Sequence, residues 1–413
     1  MTGRAGTRGL LVVWTLTRAA LLLCVLKVVT VPGPDVTVDV SVIYRGWYGA
    51  LRTGSFPVGD VTWQYPPAAA LPVLSPALLP FLEYATAFFL LVAVCDAVVL
   101  RLLVRAGTRP GGRLAGAWVW VAGVPLLGPT VCARYDLMVT AVAVAALLAG
   151  VRRPRVLGAL AAFGALLKVW PVLVLLGTAP GRATRRAWSA AAVTAGTLAA
   201  GFWLLMPGAF AFLTHQRDRG TEIESLGGLA LHLARRSGWP GWIELTYGSM
   251  EFLGPRVALV SSLALWLSVA AFGWLLVWRL RARTFAAHTA ADAAFTAVLL
   301  FTTTSRVISP QYLVWLVGLA AVCLVFPGSR MGRPACLVVL ACPVTFGEFP
   351  LGFAHVVASD DTGVALLLVR NGLLVAATGI AAVRLWRATA PAPGKSGTAP
   401  VAVGAVQPSR SAR

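Results

Sequence analysis

The sequence predicts an all-α polytopic membrane protein, on three observations. Of its 413 residues, 58% are hydrophobic and only 12% charged, too few polar groups to coat a soluble core of this size. Apolar runs of roughly 18–24 residues recur along the chain, the length of a helix that crosses a bilayer. Short arginine clusters separate these runs, the pattern of cytoplasmic loops under the positive-inside rule. The same rule accounts for the net charge of +20, so the basicity points to membrane topology and away from nucleic acid. One membrane domain, residues 1–387, and a disordered cytoplasmic tail rich in Ala, Pro, Gly and Ser, residues 388–413, is the simplest organisation.

Arg4 and Arg8 precede a first span expected from Leu10 to Thr30. Arg18 interrupts that run and no small-residue cleavage site follows, so it reads as an uncleaved helix with its N-terminus inside. The segment Val31 to Pro67 then lies outside, with Asp35, Asp39 and Asp60 beside Tyr44, Tyr48 and Tyr65. YPPAAALPVLSPALLPF (residues 65–81) is apolar but holds five prolines, a broken lead-in to the next span. That span reaches Arg101, Arg105, Arg109 and Arg113. A helix from Leu114 returns to Arg134-Tyr135-Asp136, and another ends at Arg152, Arg153 and Arg155.

Val156 to Thr178 breaks the alternation, because Arg182, Arg185 and Arg186 place both of its flanks inside. Lys168-Val169-Trp170-Pro171 lies at its middle, where a lysine is costly and proline ends a helix. Two half-helices turning at Lys168 satisfy both facts. A span from Ala187 to Leu205 leads to an external stretch, Pro207 to Gly254, with a surface helix over Leu226 to Arg236. Later spans end at Arg279, Arg281 and Arg283, at Ser305-Arg306, at Arg330 and Arg333, at Asp360 and Asp361, and at Arg384 and Arg387. The threading gives about ten full spans plus the hairpin, with both termini inside. Thirteen of the fifteen Asp and Glu residues then fall outside or at outer helix ends, Asp96 and Asp292 being the exceptions. Carboxylates hardly influence insertion, so the rule did not impose that result.

Four constellations carry chemical interest. Asp39 suits a general base toward a sugar hydroxyl, or equally the N-cap of the following VSVIYRGWYGAL segment; Asp35, after Gly33-Pro34, suits a turn. Arg134 is placed to meet a phosphate with Asp136 holding it by a salt bridge, or the two form an interfacial ion pair. Lys168 at membrane depth needs a partner, and a lipid phosphate is one. The stretch His215 to Ser225 concentrates Arg217, Arg219, Glu222 and Glu224, where a solvated loop is the plain alternative. In Ser305 to Tyr312, Pro310 suits a first helical turn, and Arg306 beside it suits an anion. The six cysteines (Cys24, Cys95, Cys132, Cys323, Cys336, Cys342) lie in or beside apolar runs and read as small hydrophobes. Four scattered histidines offer no zinc site, and Walker, Rossmann and serine-hydrolase motifs are absent from the sequence.

In order along the chain stand Asp39 to Tyr44, Tyr65-Pro66-Pro67, Arg134-Tyr135-Asp136, Lys168 to Pro171, Arg219 to Ser225 and Ser309 to Tyr312. This set resembles glycosyltransferase family 87 of the GT-C superfamily, the polyprenyl-phosphate-mannose-dependent mannosyltransferases of actinobacteria. The resemblance implies a GT-C-like helical bundle in the plasma membrane with an extracytoplasmic active site. It implies Asp39 as base, inversion at the sugar, and a polyprenyl-phosphate donor whose phosphate meets Arg134, Lys168 and Arg306, then Arg217 and Arg219. Tyr44, Tyr65, Asp136, Glu222, Glu224, Gln311 and Tyr312 are the matching candidates for substrate contacts. Of the two acids in the 219–225 motif, Glu224 aligns with the family pattern, leaving Glu222 for the acceptor or solvent. No cofactor or metal ligand is implied, and dependence on a divalent ion stays open. Partners are the donor lipid, a lipid or glycan acceptor and the surrounding membrane lipids. The competing reading is a transporter or flippase of lipid-linked sugars, a class that usually shows internal repeats and several mid-membrane charges.

Overall fold

A computed structural model of the chain describes residues 2–215 and 220–390. Helix α1 (Thr2–Val25) begins earlier than its hydropathy suggests, and it ends earlier because the backbone turns at Lys27 (φ 60°) before Pro32 and Pro34. A wide π-helical turn, Asp39–Tyr44, runs into α2 (Arg45–Leu51). The proline-rich stretch is broken as expected: a 3-10 turn, the five-residue α3 (Ala70–Leu74), then a second 3-10 turn. Next come α4 (Tyr84–Gly107), α5 (Ala115–Leu126), α6 (Asp136–Gly150) and α7 (Pro154–Leu167). After α7 the chain turns at Lys168 (φ −160°, ψ 133°) into a 3-10 segment, Trp170–Leu175, which is the half-helix hairpin the flanking arginines require.

Then follow α8 (Arg182–Leu205), the short α9 (Phe212–His215) and strand β1 (Thr221–Glu222). Surface helix α10 (Leu226–Arg236) has the bounds expected, capped by Ser225 Oγ accepting from the Gly228 N–H at 2.9 Å. Strands β2 (Trp242–Thr246) and β3 (Ser249–Leu253) were not anticipated. They form an antiparallel hairpin whose turn residues Tyr247 (φ 49°) and Gly248 (φ 77°) both take the left-handed region, and β1 joins on the other side of β3. The chain finishes with α11 (Val257–Arg281), α12 (Thr289–Thr304), α13 (Tyr312–Val325), α14 (Gly332–Phe346), α15 (Phe353–Ala358) and α16 (Asp361–Thr389). Residues 391–413, most of the expected tail, lie outside the described residues.

The expected spans resolve into two kinds. Six helical segments among the described residues are long and apolar enough to cross a membrane: 6–25, α4, α8, α11, 332–351 and α16. Helices α5, α6, α7, α12 and α13 have 12–16 residues, or roughly 18–24 Å at 1.5 Å per residue. The short helices make the centre, and α13 is buried along nearly its whole length. The long ones present apolar side chains outward; Trp203, Leu204 and Leu205 of α8 are 71–79% exposed, as suits lipid contact. α8 comes close to α7 because Gly158 faces the Ala187 carbonyl: a Cβ there would lie 1.9 Å from that oxygen.

A buried ion pair fastens the first long helices. Arg18 of α1 reaches Asp96 of α4 through Nε and Nη2, both at 3.1 Å, and donates to the Trp120 and Val121 carbonyls of α5. Trp14 Nε1 donates to the same carboxylate. Paired and fully hydrogen-bonded, these charges are tolerable in an apolar setting.

Candidate active site

A cavity of about 640 Å³ is walled by segments far apart in sequence. Asp39, Tyr44 and Tyr65 come from the first polar loop, Arg134 from the turn before α6, and Lys168 from the hairpin tip. Glu222 and Glu224 come from β1 and its continuation, and Arg306, Gln311 and Tyr312 from the turn before α13. Ten candidates from the sequence therefore share one cavity wall. Asp136 sits directly behind Lys168, and Arg217 and Arg219 lie outside the described residues.

The cap position of the π-helical turn is Val38, which supplies no side-chain cap. Asp39 is the first helical residue, and its Oδ2 instead meets Arg134 Nε at 2.9 Å. The Asp39 side chain keeps one third of its surface exposed, while that of Arg134 keeps one tenth. Arg134 Nη1 donates to the Val36 carbonyl at 2.9 Å and the Ala133 carbonyl at 2.7 Å. The guanidinium thus holds the Asp39 loop. Asp35 makes the expected turn, its Oδ1 accepting from Thr37 N and Oγ1.

Aromatic side chains stiffen this loop. Tyr44 stacks on Trp47 with ring centres 5.4 Å apart, and Trp47 meets Trp63 and Tyr65 edge-on at 5.0 and 5.8 Å. Each such pair adds about 0.5–1.5 kcal/mol beyond its burial. Trp47 Nε1 donates to Asp60 Oδ2 at 2.8 Å, and Asp60 Oδ1 accepts from Thr62 N at 2.8 Å. Burial, then the neighbouring Tyr65, pushes the Tyr44 phenol well above its usual pKa, so it stays neutral.

Lys168 Nζ lies 2.6 Å from Asp136 Oδ1, which also accepts from Trp315 Nε1 at 2.8 Å. The Tyr65, Tyr135, Tyr312 and Trp315 rings surround the ammonium at 5.0–5.5 Å, a geometry that stabilises a cation electrostatically. Asp136 was expected to hold Arg134, two residues away; it holds Lys168 instead. Asp136 opens α6 and is 2% exposed within the bundle, whereas Arg134 precedes the helix and is drawn to the Asp39 loop.

The Arg306 turn is fixed by Glu222. The Glu222 N–H donates to the Arg306 carbonyl at 3.1 Å, and its Oε2 and Oε1 accept from Ile308 N at 2.7 Å and Ser309 Oγ at 2.9 Å. Glu222 is thereby committed to the turn that carries Arg306, Gln311 and Tyr312, and at 2% exposure it does not face bulk solvent. Behind it lie residues the sequence did not single out. Arg370 of α16, fully buried, pairs with Glu348 at 3.0 Å, donates to the Ile308 carbonyl at 3.1 Å, and donates to the Glu224 carbonyl. The available signal was an arginine in the middle of the last span, outside every basic cluster.

The model of glycosyltransferase family 87 matches residues 63–310. The chain belongs to glycosyltransferase family 87. No curated protein and no solved structure matches it. The matched stretch of this family 87 member contains Tyr65, Arg134, Lys168, Glu222, Glu224 and Arg306, while Asp39 lies upstream of it. Membership makes the protein a membrane glycosyltransferase, with a sugar donor and an acceptor as its substrates. The flippase alternative has nothing equivalent in its favour.

Proposed function

We propose that this family 87 protein transfers a hexose, expected to be mannose, from a polyprenyl-phosphate donor to a hydroxyl of a lipid or glycan acceptor. The reaction is set on the extracytoplasmic face of the plasma membrane, with both termini cytoplasmic. The observation that carries the reading is the meeting of Asp39, Lys168 and Arg306 on one cavity wall, though they stand 129 and 138 residues apart (168 − 39 and 306 − 168).

The acceptor oxygen attacks the anomeric carbon while its proton passes to the Asp39 carboxylate. The bond from that carbon to the phosphate oxygen breaks on the opposite face, inverting the centre, and its electron pair leaves with the lipid phosphate. Charge grows on that phosphate during the step, and preorganised cations in a dry site stabilise it most. Lys168, fixed by Asp136 and four rings, and Arg306, on a turn braced by Glu222, supply them, with Arg217 and Arg219 as further candidates. Arg134 is a positioning residue: it keeps the Asp39 carboxylate in place on the loop. Tyr44, Tyr65, Gln311 and Tyr312 complete the wall against the sugar.

The test is Asp39→Asn in membranes supplied with labelled polyprenyl-phosphate mannose. Loss of a general base costs about 10²–10⁴-fold in rate, so transfer should fall by at least that lower figure at unchanged protein level. Transfer at the wild-type rate removes Asp39 from the base role, and a wild type inert toward this donor removes the donor.

A further inference from the structure

Glu224 is 5% exposed yet lines the cavity. Its main chain is held rigidly, because Arg370 Nη2 and Asn371 Nδ2 both donate to its carbonyl. Its carboxyl is treated differently. No N–H or O–H group among the described residues donates to Oε1, and the carboxyl meets that of Glu348, which is fully buried. Arg370 faces Glu348 and also serves the Ile308 and Glu224 carbonyls. Glu222, the third acid of the group, is engaged with Ile308 and Ser309.

The two carboxyls are in contact in the cavity wall, beside one guanidinium. A buried carboxyl without protein donors is costly to leave so, and this one borders the cavity. A phosphate is a poor guest for it, since like charge repels. A hexose hydroxyl is a good one, because it both donates and accepts and carries no charge. The cavity wall is accordingly divided: ammonium and guanidinium groups at Lys168 and Arg306, a hydrogen-bonding carboxyl at Glu224.

We propose that Glu224, seated on Glu348 and Arg370, is the sugar-recognising residue of the cavity, hydrogen-bonding a ring hydroxyl of the hexose. The inference rests on the glycosyl-transfer reading above and assigns it a specificity determinant. The hydroxyl belongs to the donor hexose or to an acceptor sugar, and the two sources separate in the test.

The full-length protein in detergent is assayed for binding of labelled polyprenyl-phosphate mannose and of polyprenyl phosphate without sugar, and for transfer to a native membrane extract. Glu224→Leu fills the space without a polar atom, and Glu224→Gln keeps a neutral group that donates and accepts. If the donor hexose is recognised, the Leu variant binds the mannose-bearing lipid about 10-fold or more weakly and the sugar-free lipid as wild type does. If an acceptor sugar is recognised, both lipids bind normally and the KM for the extract rises by a similar factor. In either case Gln restores most of the loss. Unchanged binding and transfer in the Leu variant overturns the proposal, and so does equal weakening of both lipids, which marks a purely structural residue. Should the Leu variant fail to fold, wild type and Glu224→Gln are compared on donors lacking one sugar hydroxyl. Recognition predicts that some single deletion discriminates between them; identical profiles overturn it. A wild type that binds neither lipid refutes the donor assignment instead, a result visible before any variant is made.

Discussion

Replacing Lys168 by Met separates its structural duty from its chemical one. Its ammonium sits 2.6 Å from Asp136, with side-chain exposures of 13% and 2%. Removing one partner of a buried pair costs about 3–5 kcal/mol, while removing both can be nearly neutral. Trp315 Nε1 still donates to Asp136 at 2.8 Å in the single variant, so the cost belongs at the lower end, about 3 kcal/mol. Lys168→Met combined with Asp136→Asn leaves an amide oxygen for Trp315 and no stranded charge, and should recover to within about 1 kcal/mol of wild type. Transfer should not recover. A cation that meets the departing phosphate is worth about 10²–10³-fold in rate, and neither variant has it. Thermal unfolding of the purified protein in detergent reads the first quantity, and label transfer from polyprenyl-phosphate mannose reads the second. Recovery of both in the double variant refutes the reasoning, because Lys168 would then only hold the hairpin in place.

Three other expectations are independent of that one. Glu222→Ala frees Ile308 N and Ser309 Oγ and loosens the Arg306 turn, so donor KM should rise about tenfold in steady-state transfer kinetics, with kcat changing less. His232 is pushed down to about 4 by burial, and Arg235 adds to the effect, against the opposing hydrogen bond to the Ile223 carbonyl. The unfolded chain therefore takes up this proton first, near the ordinary value of 6.5. Stability present above that pH should fall as acid is added, by about 3 kcal/mol near pH 4, and His232→Gln should flatten this part of a pH series of melting curves. Gly158→Leu cannot fit against the Ala187 carbonyl; α7 and α8 must part, and size-exclusion profiles in detergent should show the loss of folded protein.

What could be read from the chain was whatever a single segment declares about itself. Lys168 with Pro171 announced a turn at membrane depth, since neither residue suits the middle of a long span. A surface helix over Leu226 to Arg236 was expected, and α10 has those bounds. The β2–β3 hairpin was legible too, as two five-residue runs around Tyr247-Gly248, but it was hidden inside a stretch read as polar loop. Partnerships were a different matter. Arg134 with Asp39, Asp136 with Lys168 and Glu348 with Arg370 are separated by 95, 32 and 22 positions (134 − 39, 168 − 136 and 370 − 348). Spacing along the chain carries no information on such pairs, so the pairing of Arg134 with the Asp39 loop became visible only in the fold. Asp39 shows the same limit: base and cap were equal on pattern, and its pairing with Arg134 together with the cap position at Val38 speaks against the cap.

The buried charge pairs also impose an order on assembly. Arg18 is in the chain long before Asp96, Asp136 before Lys168, and Glu348 before Arg370. A nascent chain inserting from its N-terminus therefore carries each first charge unanswered until the later helix arrives, and the last debt is settled only by α16. Until Arg370 docks, the Glu224 carbonyl, the Ile308 carbonyl and Glu348 all lack their common donor. The cavity wall becomes complete with the same event that completes the bundle. A chain truncated ahead of α16 would leave Glu348 among its helices without a cation, and the Ile308 and Glu224 carbonyls without the guanidinium that joins them.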